Sequence, residues 1–241
     1  MKRKPGKVYI VGAGPGDPEL ISVKGFNALK KSDCVLYDFL SSPELLRYAK
    51  RSAEKICVGK KDGLHLKEQS EINNLLYRKS LVHKNVVRLK GGDPFIFSRG
   101  YEEAKYLSQR GIRFEVIPGI TSAIAGPESF NTPLTIKNRV SSVAILTGRK
   151  KDKDAEIDAP DCATLIYLMG VANIRNIVKA VLKSGKRKAT PCAFIEKATR
   201  KDSRIIRGTI GTIENQVKRF KVKPPAVLIV GEAVKNGHKA R

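Results

Sequence analysis

Val8-Tyr-Ile-Val-Gly-Ala-Gly-Pro-Gly-Asp-Pro18 joins four apolar, β-prone residues to a loop built of glycine and proline. A short apolar run bounded by turn residues reads as a buried strand. The loop that stops it reads as a tight turn. Working outward, Val23–Lys31 reads as a helix and Cys34–Tyr37 as a second strand. Pro43–Arg51 reads as a helix, with Ser42 as N-cap and Pro43 at the first helical position. Lys55–Val58 follows as a strand, Lys67–Lys79 as a helix and Val86–Leu89 as a strand. Tyr101–Arg110 reads as a helix closed by Gly111, and Phe114–Ile117 as another strand. Strands alternating with helices predict a mostly parallel sheet with helices on its faces.

Pro118-Gly119, Gly126-Pro127 and Thr132-Pro133 then break the rhythm. Beyond them Val143–Leu146, Ala163–Leu168, Ala193–Ile195, Arg204–Arg207 and Ala226–Val230 read as strands, with helices at Asn173–Leu182 and Thr212–Phe220. The expectation is α/β with two α/β domains: residues 1–118, a connecting segment 119–140, and a more strand-dense domain 141–241.

Composition narrows the function classes. The 241 residues carry 47 Lys plus Arg against 23 Asp plus Glu, a net charge of +24 that invites an acidic partner. Residues 1–120 hold 23 basic and 13 acidic side chains, and residues 121–241 hold 24 and 10, so the excess is spread. Its densest runs, such as Lys186-Arg187-Lys188, are short where a nucleic-acid arm would be a longer block. The longest charge-free run, Cys162–Ile174, is 13 residues, well under the roughly 20 of a membrane-spanning helix. Cys34, Cys57, Cys162 and Cys192 form no CxxC pair and lie in or beside apolar runs. His65, His83 and His238 form no ligand spacing and read as surface residues. No metal site is therefore expected, and a cytoplasmic setting fits.

Several loops carry candidate chemistry. The first, after Val11, has the glycines of G-x-G-P-G rather than G-x-G-x-x-G. Pro15 removes a backbone N–H that a phosphate cradle would use, so a dinucleotide site is disfavoured. The second, Gly91-Gly92-Asp93-Pro94, follows a strand, and ligands of open α/β sheets sit outside the carboxyl ends of strands. The third, Pro118-Gly-Ile-Thr-Ser122, ends in two hydroxyls. Asp38 closes the second strand and Lys60 follows the third. That spacing suits a surface ion pair as well as an acid–base pair.

Taken in order, VYIVGAGPGDPELISVKG, LYDFLSSPELL, VGK, VVRLKGGDPFIFSRG, EVIPGITSAIAGP, PLT, YLMG and PPAVLIVGE resemble the tetrapyrrole (corrin/porphyrin) methyltransferases from Val8 to Glu232. The resemblance implies a homodimer that binds S-adenosylmethionine (SAM) in the cleft between two α/β domains. It implies cofactor contacts at Pro15, Gly91, Gly92, Asp93, Ile96, Thr121, Ser122, Met169 and Ala198, with Asp38 as proton acceptor and Lys60 as proton donor. The implied activity is methylation of uroporphyrinogen III at C2 and C7 to precorrin-2, with S-adenosylhomocysteine as by-product. The alternatives are another precorrin or cobalt-precorrin C-methyltransferase and, in a different class, a basic RNA-binding protein or RNA methyltransferase. Phe39 stands where the family commonly has Arg, so the substrate carboxylates fall to residues such as Arg88, Lys90, Arg99 or Lys137.

Overall fold

A computed structural model describes residues 4–59, 68–150 and 156–237. The chain divides into two units, Met1–Thr121 and Ser122–Arg241.

The first unit contains β1 (Lys7–Gly12), α1 (Val23–Lys30), β2 (Cys34–Tyr37), β3 (Glu54–Cys57), α2 (Gln69–Val82), β4 (Asn85–Lys90), α3 (Gly100–Ser108) and β5 (Phe114–Ile117). Its sheet has the order β3-β2-β4-β1-β5, and every pairing is parallel. All five carboxyl ends therefore share one edge. Side chains alternate across a strand, so each strand feeds two cores. Tyr9, Val11, Val35, Val87 and Leu89 pack with Ala28 and Leu29 of α1. Val8, Ile10, Cys34, Leu36 and Val86 pack with Ile72 and Leu76 of α2 and with Ala104 and Leu107 of α3.

The second unit contains α4 (Ser122–Glu128), β6 (Val143–Thr147), β7 (Thr164–Leu168), α5 (Ile174–Lys183), β8 (Pro191–Glu196), β9 (Arg204–Thr209), α6 (Ile213–Arg219) and β10 (Ala226–Val230). Its sheet order is β6-β7-β10-β8-β9. β6 and β7 are parallel, while β10 is antiparallel to both β7 and β8. β7 and β8 thus run the same way, and their carboxyl ends share one edge. Leu165, Tyr167, Phe194 and Leu228 pack under α5 and α6 through Ile177, Val181 and Ile213. On the other face Ile166, Ala193, Ile195, Val227 and Ile229 pack with Ala123 of α4. No helix among the described residues is long and apolar enough to cross a membrane.

Three local expectations change. The segment after Ser42 is a 3₁₀ turn, Pro43–Arg47, rather than an α-helix to Arg51, and Ser42 makes no side-chain cap bond. Its backbone bonds span three residues, Leu45 N–H to Ser42 O and Tyr48 N–H to Leu45 O, both at 3.1 Å. The turn-rich stretch after Gly119 hides α4, which keeps Pro127 inside its last turn. Burial of Ala123, Ala125 and Gly126 offsets the backbone bond that Pro127 forgoes. Among the cysteines, Cys34, Cys162 and Cys192 are buried, but Cys57, on edge strand β3, is exposed.

Candidate active site

The loops that follow β1, β4 and β5 meet at the carboxyl edge of the first sheet through bare main chain. Gly14 and Gly92 exchange backbone bonds, Gly14 N–H to Gly92 O at 3.3 Å and Gly92 N–H to Gly14 O at 2.8 Å. A Cβ on Gly12 would stand 2.5 Å from Gly119 Cα, so the first and third loops interlock only if both positions are glycine. Gly92 takes φ +67°, and a Cβ there would meet nothing nearer than Thr121 Cα at 3.9 Å. The main chain is therefore open above Gly92 to a ligand that packs against backbone, which fits a SAM site. A shallow cavity of about 330 Å³ lies beside the first and third loops, lined by Leu20, Ile21, Ser22 and Pro118–Ile120.

Asp93 binds the loops together. Its Oδ1 accepts from Phe95 N–H at 2.8 Å and Ile96 N–H at 3.2 Å, and its Oδ2 accepts from Gly119 N–H at 3.1 Å. Much of the carboxylate's acceptor capacity thus goes to the backbone of its own turn and of the third loop. Ile96 is exposed on this turn, and Phe97 beyond it takes φ +46°. Pro15 lies between Gly14 and Gly16 in the first loop, and Thr121 is buried at the end of the third. Ser122 opens α4 in the second unit.

In that unit Met169 follows β7 and Ala198 follows β8, on the edge those strands share. Met169 takes φ +58°, and Lys197 and Thr199 on either side of Ala198 take +49° and +62°. Left-handed backbone at three non-glycine residues is costly and concentrates at functional loops. Met169 is 48% exposed, whereas Ala198 is buried.

Asp38 extends β2 by one residue, its N–H bonded to Leu89 O at 3.1 Å. Arg88 Nη2 donates to Asp38 Oδ1 at 2.5 Å, and Arg88 Nε donates to Glu103 Oε1 at 3.0 Å. Arg88 is 2% exposed and Glu103 0%, while the Asp38 side chain keeps 28% of its surface. Burial alone would lower the Arg88 pKa, but the carboxylates of Glu103 and Asp38 outweigh it and hold the guanidinium protonated. Lys90 Nζ reaches the same Glu103 oxygen at 3.1 Å. Its pKa is lowered, by burial first and by neighbouring Arg88 second.

Arg88 and Lys90 are therefore committed to Glu103 and, for Arg88, to Asp38 as well, and do not serve as free partners for a substrate's acids. Arg99, exposed and paired with Glu102 at 2.5 Å, and exposed Lys137 retain that possibility. Glu103 belongs to none of the loop motifs. The signal was an acid on the apolar stripe of α3, three residues after Gly100 and four before Leu107, facing a strand with cations at alternate positions.

A Cβ on Gly91 would stand 3.0 Å from Leu40 Cβ, so the Asp38 loop lies against the Gly-Gly-Asp loop. Gly59 packs against Asp38 and Phe39. Lys60, the next residue, lies outside the described residues. At the opposite end of the strands, Cys34, Glu54 and His83 come within 4.8 Å of one another, a grouping the linear spacing of the histidines did not suggest. Glu54 is already engaged there, by Lys79 at 2.5 Å and by His83 at 3.0 Å.

The family model of the Tetrapyrrole (Corrin/Porphyrin) Methylases matches residues 7–214. The chain belongs to the tetrapyrrole methylase family. A methylase relative, the uroporphyrinogen-III C-methyltransferase of Methanocaldococcus jannaschii, is 49% identical over 234 residues, covering 95% of this chain and 97% of the relative. Among solved tetrapyrrole methylases, the uroporphyrin-III C-methyl transferase of Thermus thermophilus complexed with S-adenyl homocysteine superposes with a TM-score of 0.80 at 38% identity. That match covers 95% of this chain and 99% of the other. A cobalt precorrin-4 methyltransferase gives a TM-score of 0.81 at 29% identity, with 95% of each chain covered.

Proposed function

We propose that this protein transfers methyl groups from SAM to uroporphyrinogen III at C2 and C7, releasing precorrin-2 and S-adenosylhomocysteine, and that it works in the cytoplasm as a homodimer. The uroporphyrinogen-III C-methyltransferases that match nearly the whole chain support the substrate. The structural observation that carries the reading is Asp38. It is a part-exposed carboxylate at a strand's carboxyl end, held through one oxygen by a buried guanidinium, in a loop whose Leu40 packs against Gly91.

SAM, when bound, supplies an electrophilic methyl on a sulfonium. The chain's own residues do the rest. Pro15, Gly91 and Gly92 offer close main chain, Asp93 fixes the turn, and Ile96 gives apolar contact. Thr121 and Ser122 bring hydroxyls, and Met169 and Ala198 are further cofactor contacts. Positioning the donor against an electron-rich ring carbon and excluding water is the main catalytic contribution. Asp38 accepts the proton that leaves as the ring rearranges, and Lys60 returns one. Phe39, Phe95 and Tyr101 leave large apolar surfaces exposed on the first unit, which supports a partner copy.

The test is anaerobic incubation with SAM and uroporphyrinogen III, followed by product mass. Gain of two methyl groups is expected. An unmodified substrate beside an active control overturns the reading, and methylation of a ring-contracted precorrin instead would favour the later enzymes of the family.

A further inference from the structure

Outside the loops, the most unusual chemistry in the first unit is a set of four charges, of which Arg88, Lys90 and Glu103 are buried and Asp38 is part-exposed. Arg88 and Lys90 lie two residues apart on β4 and so share one face of the sheet. α3 lays Glu103 against that face, and Asp38 approaches from the end of β2. The guanidinium is held at all three nitrogens: Nε by Glu103, Nη2 by Asp38, and Nη1 by Leu89 O at 3.2 Å. Glu103 Oε1 collects three donors, Arg88, Lys90 and Gln69 Nε2 of α2 at 3.2 Å, while Oε2 is buried with no partner among the described residues. Two cations and two carboxylates balance.

That balance matters for Asp38 if, as in the reading above, it is the base. A carboxylate facing two uncompensated cations is a poor proton acceptor. Here Glu103 shares the guanidinium and cancels the ammonium of Lys90, so Asp38 is oriented by Arg88 yet meets little net positive charge. Among the described residues, Arg88 of β4 pairs with Asp38 directly, Lys90 of β4 interacts with it electrostatically, and Glu103 of α3 pairs with both cations. We propose that Glu103 is a positioning residue for methyl transfer: it anchors Arg88 against Asp38 and offsets Lys90, which keeps the Asp38 carboxylate aimed and free of a surplus positive charge.

The reach of Glu103 to the reaction is through charge, so variants that change the charge in opposite senses should move the pH profile in opposite directions. Glu103→Gln leaves a surplus positive charge. The acidic limb of the kcat profile should move down by about one pH unit, a tenfold loss of proton affinity, and plateau kcat should fall several-fold as the base weakens. Lys90→Met leaves a surplus negative charge and should move the limb up by a similar amount. The double variant Glu103→Gln with Lys90→Met is balanced again, and its limb should return to the wild-type position. SAM binding by calorimetry should stay within about twofold throughout.

If Glu103→Gln does not fold, the upward shift in Lys90→Met carries the test. Unmoved limbs, shifts in the same direction, or a double variant that fails to restore the limb would overturn the proposal. The assignment of Asp38 has its own control: Asp38→Asn with wild-type kcat removes the base, and this inference with it. Slow Asp38→Asn beside unmoved limbs in the other variants removes the role of Glu103 alone.

Discussion

Replacing Arg88 by methionine would keep an unbranched apolar stem in the slot but take the guanidinium from between Asp38 and Glu103. The arginine is 2% exposed and Glu103 0%, so solvent cannot fill in for the lost charge. Three donated bonds disappear, to Glu103, Asp38 and Leu89 O. Lys90 remains as partner to Glu103, which leaves a surplus negative charge beside the sheet. Breaking a buried pair by removing one partner typically costs about 3–5 kcal/mol. At about 2–4 °C per kcal/mol for a chain of this size, the melting temperature should drop by roughly 6–20 °C. The cost should be context-dependent in one informative way. Arg88→Met with Glu103→Gln is balanced again and should lose less than Arg88→Met alone, a non-additivity that a double-mutant cycle reads directly. Differential scanning calorimetry with far-UV circular dichroism would measure both. A single variant that melts within about 2 °C of wild type would refute the buried network.

Other perturbations probe separate parts of the account. Gly119→Ala sets a Cβ against Gly12 Cα and Gly92 O, so SAM affinity by calorimetry should fall at least about tenfold with secondary structure retained; unchanged affinity would contradict the interlocked loops. Glu115 is held at about 2 by bonds from Lys24 and Lys7, below its ordinary 4.5. Its contribution is therefore present above about 4.5 and lost as pH falls toward 2. Glu115→Gln should cost on the order of 1 kcal/mol by denaturant midpoint at neutral pH and nothing near pH 2. Cys34 and Cys192 are buried with thiols pushed up to about 12, and Cys162 is buried, so a thiol reagent on native protein should label Cys57 alone of the four.

The parts of the fold set by local chemistry were legible before any coordinates. Cys34–Tyr37, Phe114–Ile117 and Ala226–Val230 were read at their observed limits because each is a short β-prone run bounded by turn or charged residues. The end of the Pro43–Arg47 turn is not legible, because proline marks a helical start but says nothing about whether later turns find support. α4 is not legible locally, because Gly126-Pro127 reads as a breaker while the burial that holds it comes from strands β7, β8 and β10, far along the chain. The site divides in the same way. Loop glycines and Asp38 announce themselves by their place after strands. The pairing of Arg88 with both Asp38 and Glu103 depends on a strand order of β2-β4 and on how α3 packs, neither of which a linear motif carries. So the candidate substrate ligands Arg88 and Lys90 became internal counter-charges.

Methyl transfer that depends on Asp38 is tested most directly by single-turnover mass spectrometry under anaerobic conditions. Wild-type protein with SAM and uroporphyrinogen III should yield product heavier by two methyl groups. Asp38→Asn should bind SAM normally and form that product at least about tenfold more slowly. Substrate left unmodified by wild-type protein, or an Asp38→Asn variant as fast as wild type, would contradict the account.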